Sequence, residues 1–305
     1  MKKARLHLII AFGVFVIGLI IGSFLDLQIN SALFSSMNPF GLTISIIGMI
    51  PGYGLLAFMG GMMLHNAIKP HHKLWLRIII GVLSVAAGLV ALFYLGREIF
   101  SANGFTNESL YYFGFLIYLP VVATIYVLGY FVGKKVDNDN LWIVFLVFFV
   151  FVGIALMGGV NGLKSLFHRP RYRSIAVTDV PFFPWWKRCS STYYNEYMTS
   201  FNLGKEEFKS FPSGHAAATA VSLLFGAMFP IFFPKAKKAA VPVFYCCLAW
   251  TLLVCFSRML VGAHFLSDVS MGAIIMIICL FAANEIVIGN KKLHAIVEPE
   301  PPVEE

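Results

Sequence analysis

Long apolar runs separated by short polar segments organise this chain. Eight runs, at approximately 7–26, 43–65, 78–96, 112–133, 142–163, 215–233, 241–261 and 265–288, each approach the length of about 20 residues that carries a helix across a bilayer. The pattern predicts an all-α membrane protein, a polytopic bundle of about eight transmembrane helices forming one domain over 1–290. Pro51 is expected to break the second span and Pro120 to bend the fourth. Residues 291–305, rich in Glu and Pro from Glu298 onward, are expected to form a disordered cytoplasmic tail. Met1-Lys2-Lys3-Ala4-Arg5 before an apolar run also matches the start of a signal peptide. The run is long, however, and no small-x-small cleavage site follows it, so it reads as a retained span.

Composition agrees with the pattern. Hydrophobic residues make up 59% and charged residues 12%, a balance of polytopic membrane proteins and not of soluble enzymes. The net charge of +8 is scattered among loops, which excludes the continuous basic surface that nucleic-acid binding needs. Cys246, Cys247, Cys255 and Cys279 fall in apolar runs and Cys189 stands alone outside them, so neither a disulfide framework nor metal-ligand spacing is present. Gly48-x3-Gly52 and Gly158-x3-Gly162 are suited to close helix contact. His65, His71 and His72 fall near a membrane boundary, where solvation is the simplest reading.

Loop charge sets an orientation. With the N-terminus inside, the cytoplasmic segments hold Lys2, Lys3, Arg5, Lys69, Lys73, Arg77, Lys134, Lys135, Lys235, Lys237, Lys238, Lys291 and Lys292, while the first two outer loops hold only Arg97. The later outer segments break the rule. Lys164, Arg169, Arg171, Arg173, Lys187, Arg188, Lys205, Lys209 and Arg258 all fall there, and an anionic substrate is the simplest reason for such an excess.

Three segments on that side carry chemistry. Ser257 to Asp268 contains Arg258, His264 and Asp268 at the spacing Arg-x5-His-x3-Asp; on a helix the last two would share a face, with the carboxylate accepting the imidazole N–H. Phe211-Pro212-Ser213-Gly214-His215 opens an apolar run, with Ser213 as N-cap and free N–H groups that favour an anion. Lys164 to Arg171 adds cations where the fifth run ends. Taken singly, each has a plain reading as a flanking charge or a turn.

Together these segments resemble the type 2 phosphatidic acid phosphatase family, whose motifs read K-x6-R-P, P-S-G-H and S-R-x5-H-x3-D. The second and third are intact, and the resemblance covers roughly the C-terminal half, with a core at about 142–288. The first departs by one residue, since Tyr172 follows Arg171 where the family has proline; Arg169-Pro170 is an alternative match out of register. The resemblance implies a phosphatase that uses no metal and no other cofactor. It implies that His264 is the nucleophile and forms a phosphohistidine, that Asp268 holds its tautomer, and that His215 protonates the leaving oxygen and then activates water. Lys164, Arg171, Ser213, Gly214 and Arg258 would bind the phosphate.

The implied partners are a lipid phosphate and the bilayer, with the site on the extracytoplasmic face. Phosphatidic acid, phosphatidylglycerol phosphate and polyprenyl phosphates or diphosphates all fit. Glucose-6-phosphatase and the sphingosine-phosphate phosphatases are similar in motif, so a sugar phosphatase stays open, as does phosphoryl transfer between lipids. A catalytically silent transporter or scaffold is disfavoured, because every expected ionisable side chain is present. The loop from about 164 to 214 is long and contains Trp185-Trp186, which would rest in the headgroup layer or close over the site. Asp179, Glu196, Glu206 and Glu207 lie in it, and spacing selects none of them.

Overall fold

The structure, a computed structural model, describes residues 2–103 and 109–298. It is helical, and no strand occurs among the described residues. Among the described residues, eight helical stretches are long and apolar enough to span a membrane: Lys3–Leu33, Pro39–Ile68, Leu74–Arg97, Phe113–Val136, Leu141–Ile175, Gly214–Phe232, Pro234–Leu260 and Leu266–Gly289. The sequence-derived spans coincide with these, with ends displaced by several residues. The first helix, α1 (Lys2–Leu33), runs past its expected end at 26 and carries Asp26 and Asn30 inside the fold.

The second span is broken where Pro51 predicts. Asn38 caps α2 (Pro39–Ile47) by accepting from Gly41 N at 2.9 Å, the chain turns at Gly48 and Met49, and Pro51 sits in the first turn of α3 (Ile50–Ile68). Pro120 lies inside α5 (Ser109–Val136), which continues through it. Together with α4 (Leu74–Asn103), α3 and α5 form one packed group.

The rest of the bundle consists of α6 (Leu141–Gly153), α10 (Gly214–Ala220), α11 (Leu223–Phe232), α12 (Ala240–Leu260) and α13 (Leu266–Gly289), with α1 laid along α13; the short helices α7 (Gly162–Phe167), α8 (Tyr172–Ile175) and α9 (Ser191–Ser200) lie between α6 and α10 in the chain. Of the two glycine pairs, Gly48 and Gly52 are used for close contact: a Cβ at Gly52 would meet the Ala218 carbonyl oxygen at 1.9 Å. Gly158 has open space beside it, and the close neighbour on that span is Gly159, against Ile275.

The expected disordered tail begins instead as a docked helix, Lys291–Val297. Asn290 caps it, Val297 is buried, and Asn138 donates to the Ile296 carbonyl at 2.7 Å. Residues 299–305 of that tail lie outside the described residues.

Candidate active site

The three motif segments meet at one end of the bundle. The fifth span loosens into a π-helix over Ile154–Asn161 before the short α7 (Gly162–Phe167), which carries Lys164. π-Turns inside α-helices are uncommon and gather at functional sites. Here Leu156, Met157, Val160 and Asn161 from the π-segment line the same cavity as Lys164. His168 ends α7 in the left-handed conformation (φ 46°) and turns the chain toward Arg171.

Arg171 N-caps the short α8 (Tyr172–Ile175), and its Nε donates to the Glu206 carbonyl at 2.7 Å. Tyr172 therefore occupies the first helical position, where proline is favoured because the N–H is unused and its φ is already set. Tyrosine fills the position without disturbing the turn. Its ring packs edge-on against Phe34 and Phe265, at 5.3 and 6.0 Å between centroids.

Ser213 caps α10, accepting from Ala216 N at 3.4 Å, and its own N–H donates to the Asp268 carbonyl at 2.9 Å. This contact ties the second motif to the third. It is possible because position 272 is glycine: a Cβ there would meet the Ser213 carbonyl oxygen at 2.2 Å. Between Arg258, in the last turn of α12, and His264 the chain turns at Gly262 (φ 62°), a conformation that β-carbons disfavour.

Lys164, Arg171, Gly214, His215, Arg258 and His264 all line a cavity of about 150 Å³. The register Lys164-x6-Arg171 is thus the one that reaches the cavity; Arg169 is buried behind it. Ser213 and Asp268 are fully buried and support the wall without lining it. Met49, Tyr53, Tyr94, Arg97, Glu206 and Lys209 complete the lining. Lys209 belongs to the excess of outer cations and Glu206 to the loop carboxylates, whereas no motif pointed to Met49, Tyr53, Tyr94 or Arg97. Glu206 contributes a carboxylate to the rim, bonded to Lys209 at 2.6 Å.

The expected hydrogen bond from the His264 ring to Asp268 is not made. Phe265 is the N-cap of α13, so His264 precedes the helix and the i, i+4 geometry does not apply. The Asp268 carboxylate turns back to accept from Phe265 N at 2.8 Å, from Ser210 Oγ at 2.5 Å and from Arg169 Nη1 at 2.5 Å, leaving His264 Nδ1 4.0 Å away. His264 Nδ1 instead lies 2.7 Å from the Ser210 carbonyl oxygen. A carbonyl can only accept, so Nδ1 carries the proton and Nε2 keeps its lone pair. Burial, then the charges of Arg171, Lys164 and Arg258 and the neighbouring His215, hold the ring's pKa well below the ordinary imidazole range. A neutral imidazole with a free Nε2 among cations suits nucleophilic attack on an anionic phosphorus centre.

A second, apolar crevice of about 320 Å³ adjoins the cavity. The two share Tyr94, Leu156 and Met157, and the crevice continues along α3, α4 and α6 past Leu56, Val90 and Phe149.

The 176–213 loop packs over the helix ends. Trp185 donates to Ser23 Oγ at 2.8 Å and stacks on Phe211, while Trp186 is exposed; neither lines the cavity. Cys189 in the same loop is fully buried, and burial pushes its thiol up to about 11. All five cysteines are free. At the opposite end of the bundle, His71, His72 and Asp139 place one ligand atom each within 4.8 Å of one another, the one such group among the described residues. Lys69 already bonds both Asp137 and Asp139 there, so this cluster works as an ionic clasp between two loops.

A family model described as the PAP2 superfamily matches residues 140–292, half of the chain. The chain belongs to the PAP2 superfamily. No curated protein and no solved structure matches it. Membership of the PAP2 superfamily carries phosphatase-type activity in general, and the eight spans make this member a multi-pass membrane protein. The PAP2 match starts at α6. Asp26, Tyr53, Tyr94 and Arg97 reach the site or its support from helices that precede it.

Proposed function

We propose that the protein is a metal-independent membrane phosphatase that hydrolyses lipid phosphate monoesters or diphosphates through a phosphohistidine at position 264. The observation that carries this reading is the convergence of Lys164, Arg171, Arg258, His215 and His264 on one cavity. Arginine forks match phosphate oxygens, and three cations can neutralise the charge that would otherwise repel a nucleophile. His264 Nε2 attacks in line, forming an N–P bond as the ester P–O bond breaks, and the departing oxygen takes a proton from His215. His215 then removes a proton from water, whose oxygen attacks phosphorus, breaks the N–P bond and releases inorganic phosphate. Donors aimed at the equatorial oxygens each contribute about 3 kcal/mol to such a transition state, and acid–base catalysis adds roughly 100- to 10,000-fold. Cationic side chains fill the electrostatic role that a metal plays elsewhere, so turnover is expected to survive chelators.

The apolar crevice that shares Tyr94, Leu156 and Met157 with the cavity supports a hydrocarbon-bearing substrate over a sugar phosphate. The excess of cations at this end, against the basic loops at the other, supports a site facing away from the cytoplasm. A panel of phosphates assayed in one detergent, with and without EDTA, tests the reading. A lipid phosphate should exceed glucose 6-phosphate by at least about tenfold in kcat/KM, since each chain CH₂ adds roughly 0.8 kcal/mol to membrane partitioning. Equal rates on both would overturn the lipid assignment, and loss of turnover restored only by a divalent cation would overturn metal independence.

A further inference from the structure

We propose that Asp26, on α1 and outside the stretch matched by the family, is a positioning residue for His264. This inference rests on the reading of His264 as the nucleophile.

The evidence is an unbroken chain of buried bonds. Asp26 Oδ2 accepts from Arg169 Nη2 at 2.9 Å, and Arg169 Nη1 donates to Asp268 Oδ1 at 2.5 Å. Asp268 Oδ2 accepts from Ser210 Oγ at 2.5 Å, and the Ser210 carbonyl takes the Nδ1 proton of His264 at 2.7 Å. Every side chain in the chain is at most 3% exposed. Arg169 has no freedom to relax: its Nε donates to the Phe183 carbonyl at 2.8 Å, Nη1 also donates to Ser267 Oγ at 2.9 Å, and its Cζ lies 4.3 Å from the centre of the Phe265 ring. A guanidinium held at every nitrogen transmits the placement of one carboxylate to the other.

Asp26 also fixes the backbone from which His264 hangs. Phe265 has no side-chain acceptor to cap α13, and Asp26 serves from another helix. Its Oδ1 accepts from Ser267 N at 2.9 Å, while its Oδ2 also takes the Ser267 hydroxyl. One helical turn on, Asn30 donates to the His264 carbonyl at 3.0 Å. An ionisable residue in a membrane span is uncommon and demands a partner; here the partner is the arginine behind the catalytic loop.

Asp26→Asn separates a positioning role from a purely structural one, because the amide oxygen can still cap Ser267 while the charge opposite Arg169 is lost. In protein that elutes and melts as folded, kcat should fall at least tenfold with KM within threefold. The acid limb of kcat/KM should move to lower pH, since the uncompensated guanidinium disfavours protonated His264. Folded Asp26→Asn with kcat within twofold of wild type would overturn the proposal, as would a loss accounted for entirely by fewer active sites at unchanged turnover per site. If Asp26→Asn does not fold, Ser267→Ala removes only the shared hydroxyl and should lower kcat about threefold at constant KM; unchanged kcat there overturns the proposal equally. Label mapping of the wild-type phosphoenzyme keeps the two readings apart. Label away from His264 defeats the nucleophile assignment, whereas label on His264 with normal turnover in Asp26→Asn defeats the positioning role alone.

Discussion

Gly272→Ala offers a severe test of how the second and third motifs are held together, because it adds one methyl group far from any proton or phosphate. The added carbon would lie 2.2 Å from the Ser213 carbonyl oxygen and 3.1 Å from its carbonyl carbon, both backbone atoms that no rotamer change can move. Restoring an ordinary contact of 3.4 Å requires α13 or the Pro212–His215 segment to give way by about 1 Å. The displacement would stretch the 2.9 Å bond from Ser213 N to the Asp268 carbonyl, and with it the spacing between His215 and His264. Misplacement by 1 Å costs on the order of 100-fold in turnover, and overpacking of this kind costs about 1–3 kcal/mol in stability. Phosphate release from a short-chain lipid phosphate in detergent, normalised to monodisperse protein, should therefore fall roughly 100-fold. Gly158→Ala is the matched control, since nothing lies within 4 Å of a Cβ there, and it should retain full turnover. Gly272→Ala with more than about half the wild-type rate would refute the close coupling of the motifs.

Further outcomes follow from the same geometry. His264 is held neutral in the fold, so below the ordinary imidazole pKa of 6.5 the unfolded chain binds a proton that the folded chain refuses. Stability relative to His264→Gln should therefore decline as pH falls from about 7 to 5, at up to about 1.4 kcal/mol per pH unit, measured by thermal unfolding in detergent; a flat or rising difference would show that the ring is protonated in the fold. Buried Cys189 should resist an impermeant thiol reagent, while Thr192→Cys, exposed in the same loop, should be labelled in intact cells if the site faces outward. Labelling of Thr192→Cys only after the cytoplasmic face is opened would reverse the orientation.

The fold was legible because a bilayer demands long apolar helices, and all eight runs became spans. Their ends were less so. Asp26 was placed at the boundary of its run because hydropathy stops at a charge, whereas the helix continues to Leu33 and the charge is paired inside with Arg169. At the site, motif spacing located Lys164, Arg171, Arg258 and both histidines, since those residues are adjacent to the turns that present them. The hydrogen bond expected between His264 and Asp268 is absent for a local reason: H-x3-D implies a shared helical face only when both residues are helical, and His264 lies before the cap. Ser210, which holds the imidazole through a backbone carbonyl, carries no side-chain signal for that role. Arg97, Tyr53 and Tyr94 reach the cavity from helices far away in sequence, and only packing brings them there.

The most direct measurement is to trap the covalent intermediate. His215→Ala, incubated briefly with a ³²P-labelled lipid phosphate bearing an activated leaving group and quenched in alkali, should accumulate protein-bound phosphate that is stable to base and labile to acid. Peptide mapping should assign it to His264, and the His215→Ala/His264→Ala double variant should carry none. Label on any other residue, or turnover in His264→Ala above about a tenth of wild type, would contradict nucleophilic catalysis by His264.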